Sequence, residues 1–193
     1  MSDVQPQGDL RQLVTVGGLR LVMGFDESRE YLDAVQAITR VPRAPAWLLG
    51  VLGSSGLAVP VVDLVAWAQR TRPEPWRVTG NERGQSTTAV TAHVLRALRL
   101  RDAADAWAFR VTQAPSVVNL NTAQQSQAIT AHLPLSVSAS YGQLMPHAVR
   151  LWTLADGSWA LQIRWPTVVE ALRQDLSART VTSWSWSGTS RRP

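Results

Sequence analysis

Between Leu13 and Met23, β-branched and apolar residues gather on both sides of Gly17-Gly18. That pattern predicts two strands meeting at a tight turn, or one bulged strand. The stretch Asp26 to Asp33 is charged and is expected to cross the surface. In Ile38-Thr39-Arg40-Val41-Pro42-Arg43-Ala44-Pro45 two prolines each fix φ and remove a donor, which points to an extended connection. A helix starting near Pro45 should follow, with Trp47, Leu48 and Val51 on one face and Gly53 at its end. Leu57 to Val62 reads as an apolar strand in which Pro60 requires an edge or a bulge. Asp63 then stands where it can cap a short helix through Leu64, Val65 and Trp67.

Arg70 to Thr88 carries Pro73, Pro75, Gly80 and Gly84 and reads as a long loop. Ala89 to Arg101 is ambiguous: Val94, Leu98 and Arg101 keep helical spacing, Val94, Arg96, Leu98 and Leu100 alternate imperfectly as in a strand, and the pattern alone slightly favours helix. The turn-like Asp102-Ala103-Ala104-Asp105 and the alternating Trp107, Phe109 and Val111 favour a hairpin. Asn119 to Gly142 is rich in Gln, Ser and Thr, a loop with a short strand. The clearest hairpin spans Val149 to Arg164 around Asp156-Gly157. Thr167-Val168-Val169-Glu170 matches a capping box, and Val169, Leu172 and Leu176 give the helix behind it one apolar stripe. The segments 1–9 and 177–193 lack periodicity and are expected to be disordered tails around one domain over 10–176. Many strands with turn signals and only two or three short helices predict an all-β barrel or sandwich.

Composition narrows the chemistry. The chain has no cysteine, which excludes a disulfide framework, a thiolate metal site and a cysteine nucleophile, and fits a reducing, cytoplasmic setting. Its 19 basic residues, all arginine, outweigh 14 acidic ones to give +5, a weak footprint for nucleic acid; only Arg96, Arg99 and Arg101 cluster. A small arginine-rich nucleic-acid-binding barrel carried by those three is the competing reading from another class. Met1 to Gly8 is polar and lacks the apolar core of a signal peptide. Ala44 to Val62 is free of charge but holds three glycines and Pro60, so it reads as separate elements rather than a membrane span.

His93, His132 and His147 are far apart and form no metal-ligand spacing. Asp26, Glu27, Glu30 and Asp33 are read as solvated neighbours, since nothing near them predicts the burial that acid–base tuning needs. Neither a serine elbow nor a phosphate loop occurs. An enzyme, a metal and a cofactor are therefore not expected. Among the nine tryptophans, Trp107, Trp152 and Trp159 are assigned to the core, while Trp47, Trp67 and Trp76 are candidates for a partner-facing role.

Ile38 through Val51, followed by Leu57-Ala58-Val59-Pro60-Val61-Val62-Asp63-Leu64, resembles the CheW-like domain family. The family pattern runs roughly I-T-x-V-P-x-x-P-x-x-[IVF]-x-G-[VL], then N-L-R-G, then x-x-[VI]-P-V-x-D-L. The run Pro45-Ala46-Trp47-Leu48-Leu49-Gly50 is closer to the PilI branch of type IV pilus chemosensory systems. The first hairpin, the Asp156-Gly157 hairpin and the Thr167 helix resemble the rest of the domain more loosely. The resemblance also turns Ala89 to Arg101 towards strand.

It implies two SH3-like five-stranded β-barrel lobes packed on a shared core. It further implies a non-catalytic adaptor that links the regulatory domain of a CheA-type histidine kinase to the cytoplasmic tip of methyl-accepting chemoreceptors. Glu30, Ser54, Ser55, Gly56, Val59 and Pro60 are the expected partner-binding residues. Two departures stand out. The family's loop arginine, which pairs with a glutamate in V-x-E-[IL], is Ser55 here, and only a one-residue shift brings Glu30 to the glutamate's place, so an ion pair is lost or replaced. The family's V-D after its middle strand reads Val111-Thr112. A diverged PilI-like accessory scaffold without receptor contact is the nearer alternative.

Overall fold

The computed structural model describes residues 9–54, 56–73, 92–101, 106–120, 126–128 and 139–182, of which 33–37, 92–96, 126–128 and 179–182 are described by their backbone. Around Gly17-Gly18 the chain turns back as expected. Strands β1 (Leu10–Val16) and β2 (Leu19–Met23) pair antiparallel with Val16 opposite Leu19. The charged stretch after them is not a surface crossing: β3 (Ser28–Ala37) is a ten-residue strand. Pairing along its length with β6 (Ala92–Leu100) outweighs the polar composition, while Leu32 turns inward at 8% exposure.

No helix begins at Pro45. The chain makes turns up to Trp47 and then enters β4 (Leu48–Ser54), which folds back on β5 (Leu57–Val62). Helix-compatible residues give way here to tertiary pairing: Thr39 and Val51 exchange two backbone hydrogen bonds of 2.9 Å each, which ties the end of β3 to β4. Gly50 makes that approach possible. Its φ is +149°, and a Cβ would lie 2.4 Å from Ile38 Cγ2 and 2.6 Å from the Thr39 carbonyl oxygen. Asp63 caps α1 (Leu64–Gln69) as expected, its Oδ1 accepting from Ala66 N–H at 2.9 Å.

The ambiguous stretch near residue 94 is strand β6, antiparallel to both β3 and β7 (Ala108–Arg110). After β8 (Ser116–Asn119) and β9 (Ser126–Ala128), a 3₁₀ turn at Gly142–His147 leads into the hairpin of β10 (Ala148–Thr153) and β11 (Trp159–Ile163). The closing helix α2 (Trp165–Thr182) starts two residues before Thr167 and continues beyond Ser177. Thr167 is therefore no N-cap. Its hydroxyl donates to the Arg164 carbonyl at 2.8 Å, and Glu170 contacts Arg173 and Gln174. Pro166 suits the first turn, where an amide would go unbonded anyway. The loop expected at 70–88 from Glu74 on, the turn at 102–105, Trp76 and the tails 1–8 and 183–193 lie outside the described residues.

The strands form a five-stranded sheet, β3-β6-β7-β5-β4, and a six-stranded one, β8-β1-β2-β11-β10-β9, one strand more than the expected five. The architecture is the mostly β fold of two SH3-like lobes. One lobe is filled by Leu32, Ile38, Leu52, Val59, Val61, Ala97 and Ala108, the other by Val22, Leu120, Trp152, Leu154 and Ala160. A larger cluster joins them, with Val14, Leu21, Trp47, Trp67, Leu98, Phe109 and Leu161 among its members. Helix α2 covers this shared core with Val168, Val169 and Leu172.

Trp107 and Trp152 are buried and Trp159 half-buried, as core residues should be. Trp47 and Trp67 are buried too, at 4% and 1% exposure, so neither faces a partner. Trp67 Nε1 instead donates to Asp175 of α2 at 2.8 Å.

Candidate functional site

Strand alternation builds a distinct layer at one mouth of the first lobe. Residues paired across an antiparallel ladder share a face, and the side-chain period is two. Leu32 opposes Ala97, and Leu52 opposes Val59; all four lie in the apolar filling of the barrel. Two positions further along each strand, on the same face, stand Glu30, Arg99, Ser54 and Leu57. The apolar column thus ends in a rim of one carboxylate, one guanidinium, one hydroxyl and one exposed leucine.

The Arg99 side chain is 1% exposed and lies 3.8 Å from Glu30 Oε2, whose side chain is 43% exposed. Arg99 Nη1 donates to Ser54 Oγ at 3.1 Å, and that hydroxyl donates to Glu30 Oε2 at 3.4 Å. The two separations to Glu30 Oε2, 3.4 and 3.8 Å, are longer than a closed ion pair, so the rim is tied but open. Beside it, Gly56 takes φ +77° in the tight turn between Ser54 and Leu57, and Leu57 is 51% exposed. Strand β5 meets β7 only at Val61 and Val62, so Leu57–Pro60 has a free edge among the described residues, the position Pro60 requires.

The expected site residues are therefore divided. Glu30 and Ser54 come together, Gly56 is beside them, and Ser55 lies outside the described residues. Val59 is 0% exposed inside the barrel, so its side chain offers nothing to a partner: alternation puts it with Leu52 and Val61. Pro60 pairs with Val51 on the outer face of the hairpin and is half-buried.

Arg99 escaped the sequence reading as a site residue. Grouped with Arg96 and Arg101 it looked like part of a cationic patch, yet the strand turns it inward while Arg101 is exposed. That removes Arg99 from any phosphate-binding surface and breaks the cluster on which the nucleic-acid reading stood. The signal was present in Ala97 and Arg99 alternating against Leu98 and Leu100, once the segment is taken as a strand.

Two titratable groups elsewhere, Glu27 and His147, are tied to the fold. Glu27 accepts from the Gly24 amide at 2.5 Å, and burial pushes its pKa up. The hydroxyl of Thr167 spends its proton on Arg164, so His147 Nδ1 donates to Thr167 Oγ1 across 2.9 Å. Partial burial pushes the pKa of this imidazole down. Among the described residues no group of three or more His, Asp or Glu could hold a metal, and no helix is long and apolar enough to cross a membrane.

Comparison with known proteins gives these features a context. The structure is similar to the crystal structure of the scaffolding protein TtCheW from Thermoanaerobacter tengcongensis, with a TM-score of 0.55 at 14% identity, over 85% of this chain and 89% of that one. At that identity the likeness is one of fold. No curated protein matches the sequence. The family model for the CheW-like domain matches residues 12–145, which takes in all five strands of the first lobe and the rim they build. The chain belongs to the CheW-like domain family.

Proposed function

We propose that this chain is a non-catalytic, cytoplasmic adaptor that docks the regulatory domain of a CheA-type histidine kinase and couples it to the cytoplasmic tip of a chemoreceptor. The observation that carries the reading is the rim around Glu30, Ser54, Gly56 and Leu57. It sets an exposed carboxylate and an exposed leucine beside the edge of β5 that is unpaired among the described residues, on a lobe whose sheet is joined by pairing from β3 to β4. A partner gains main-chain hydrogen bonds from such an edge and side-chain selectivity from the groups flanking it. Family membership supports the same reading. Glu30, Ser54, Ser55, Gly56 and Pro60 are assigned to the face, and Leu57 takes the place given to Val59.

Immobilised protein should capture the kinase regulatory domain, and Leu57→Asp should reduce that capture without altering the far-ultraviolet circular dichroism spectrum. Failure of the unaltered chain to retain the domain contradicts the reading. A second reading is a PilI-like scaffold of a twitching-motility system that binds the kinase alone. The replacement of the family's loop arginine by Ser55 favours it. A receptor-tip fragment added to the same assay separates the two readings, because only the coupling adaptor retains that fragment.

A further inference from the structure

Arg99 is the residue at the mouth that fits the fold least. Its side chain is 1% exposed and borders the apolar column of Leu32, Leu52, Val59 and Ala97. Burying a guanidinium costs free energy that a half-exposed carboxylate 3.8 Å away offsets only in part. Its Nε, also buried, has no hydrogen-bond partner among the described residues. A methionine there would extend the apolar filling without that cost. A buried cation that stability does not require points to a role beyond stability.

The contacts define that role. Donors run in one direction, from Arg99 Nη1 to the Ser54 hydroxyl and from that hydroxyl to Glu30 Oε2. Both contacts of the carboxylate fall on Oε2, while the side chain is 43% exposed. The pair is thus a dipole whose positive end is sealed in the barrel and whose negative end meets solvent beside Leu57 and Gly56.

We infer that Arg99 is a positioning residue that holds the Glu30 carboxylate at the mouth through Ser54, and that the mouth receives a cationic side chain of the partner, an arginine or a lysine. The inference rests on the docking reading above, with Glu30 as the touching group and Arg99 acting behind it.

The test is a cycle of Arg99→Met, Glu30→Gln and the double variant, each melted thermally and titrated with the kinase regulatory domain at low and high salt. Arg99→Met should melt no lower than the unaltered protein yet bind about tenfold more weakly, the scale seen for directly coupled residues. Glu30→Gln should weaken binding to a similar degree and flatten its salt dependence. The double variant should bind no worse than Glu30→Gln alone. A lowered melting temperature with unchanged affinity overturns the inference, and so do losses that multiply in the double variant.

Should Arg99→Met fail to fold, Arg99→Lys takes its place in the cycle. Lysine keeps the charge without the planar fork, so binding should still weaken, and equal affinity overturns the inference. If the unaltered protein does not bind the domain, the docking reading falls, and the cationic partner falls with it. Amide hydrogen exchange then decides the positioning role. Faster exchange over residues 54–57 in both single variants supports it, and unchanged exchange overturns it.

Discussion

Gly50 and His147 show how single residues set conditions for the packing around them. At Gly50 a side chain would have to occupy the space of Ile38 Cγ2 and the Thr39 carbonyl, at a backbone φ that non-glycine residues rarely adopt. Gly50→Ala should therefore cost about 2 kcal/mol or more, as strained-backbone and overpacking substitutions do. A urea denaturation series measures this. His147 lies against Trp67, with ring centroids 6.3 Å apart, and desolvation holds its pKa below the ordinary 6.5. The unfolded chain then takes up a proton there more readily than the folded one, so stability is lost as pH falls below about 6.5. The urea midpoint should drop between pH 7.5 and pH 5.5, and His147→Gln should reduce that drop.

Individual elements show what pattern could and could not decide. The hairpins at Gly17-Gly18 and Asp156-Gly157 were legible because turn chemistry and apolar flanks agree locally. The Asp63 cap was legible for the same reason. Strand β3 was not: its charges look like surface, and only the long ladder to β6 makes it a strand. Strand β4 misled because Pro45, Trp47 and Leu48 are compatible with a helix, whereas its strand state depends on the distant partners Thr39 and Val62. The site followed the same rule. Glu30 and Ser54 were reached through family likeness, but Arg99 becomes visible only when β6 is placed opposite β3.

Asp63 carries a further consequence at this scale. It caps α1 through Oδ1, and its Oδ2 lies 3.5 Å from Arg110 Nη1 on β7. Asp63→Ala should cost about 1 to 2 kcal/mol from the lost cap. Helix α2 contributes by burial instead. Leu172, at 2% exposure in the shared core, should cost about 2 to 5 kcal/mol on truncation to alanine. Thermal melts of the two variants check both values.

The molecule as a whole is two lobes around one core, and that core is where the burial lies. The mouth of the first lobe, by contrast, combines a buried cation with an exposed carboxylate and an exposed leucine. Folding alone does not explain that combination. If that mouth is the docking face, a map of nuclear magnetic resonance shifts will show it. The labelled protein is titrated with the kinase regulatory domain, and amide shifts are followed along the chain. The largest changes are expected at Glu30, Ser54, Gly56, Leu57 and Arg99, with little change at Val117 on β8. Changes centred on the six-stranded sheet, or none at saturating partner, would contradict it.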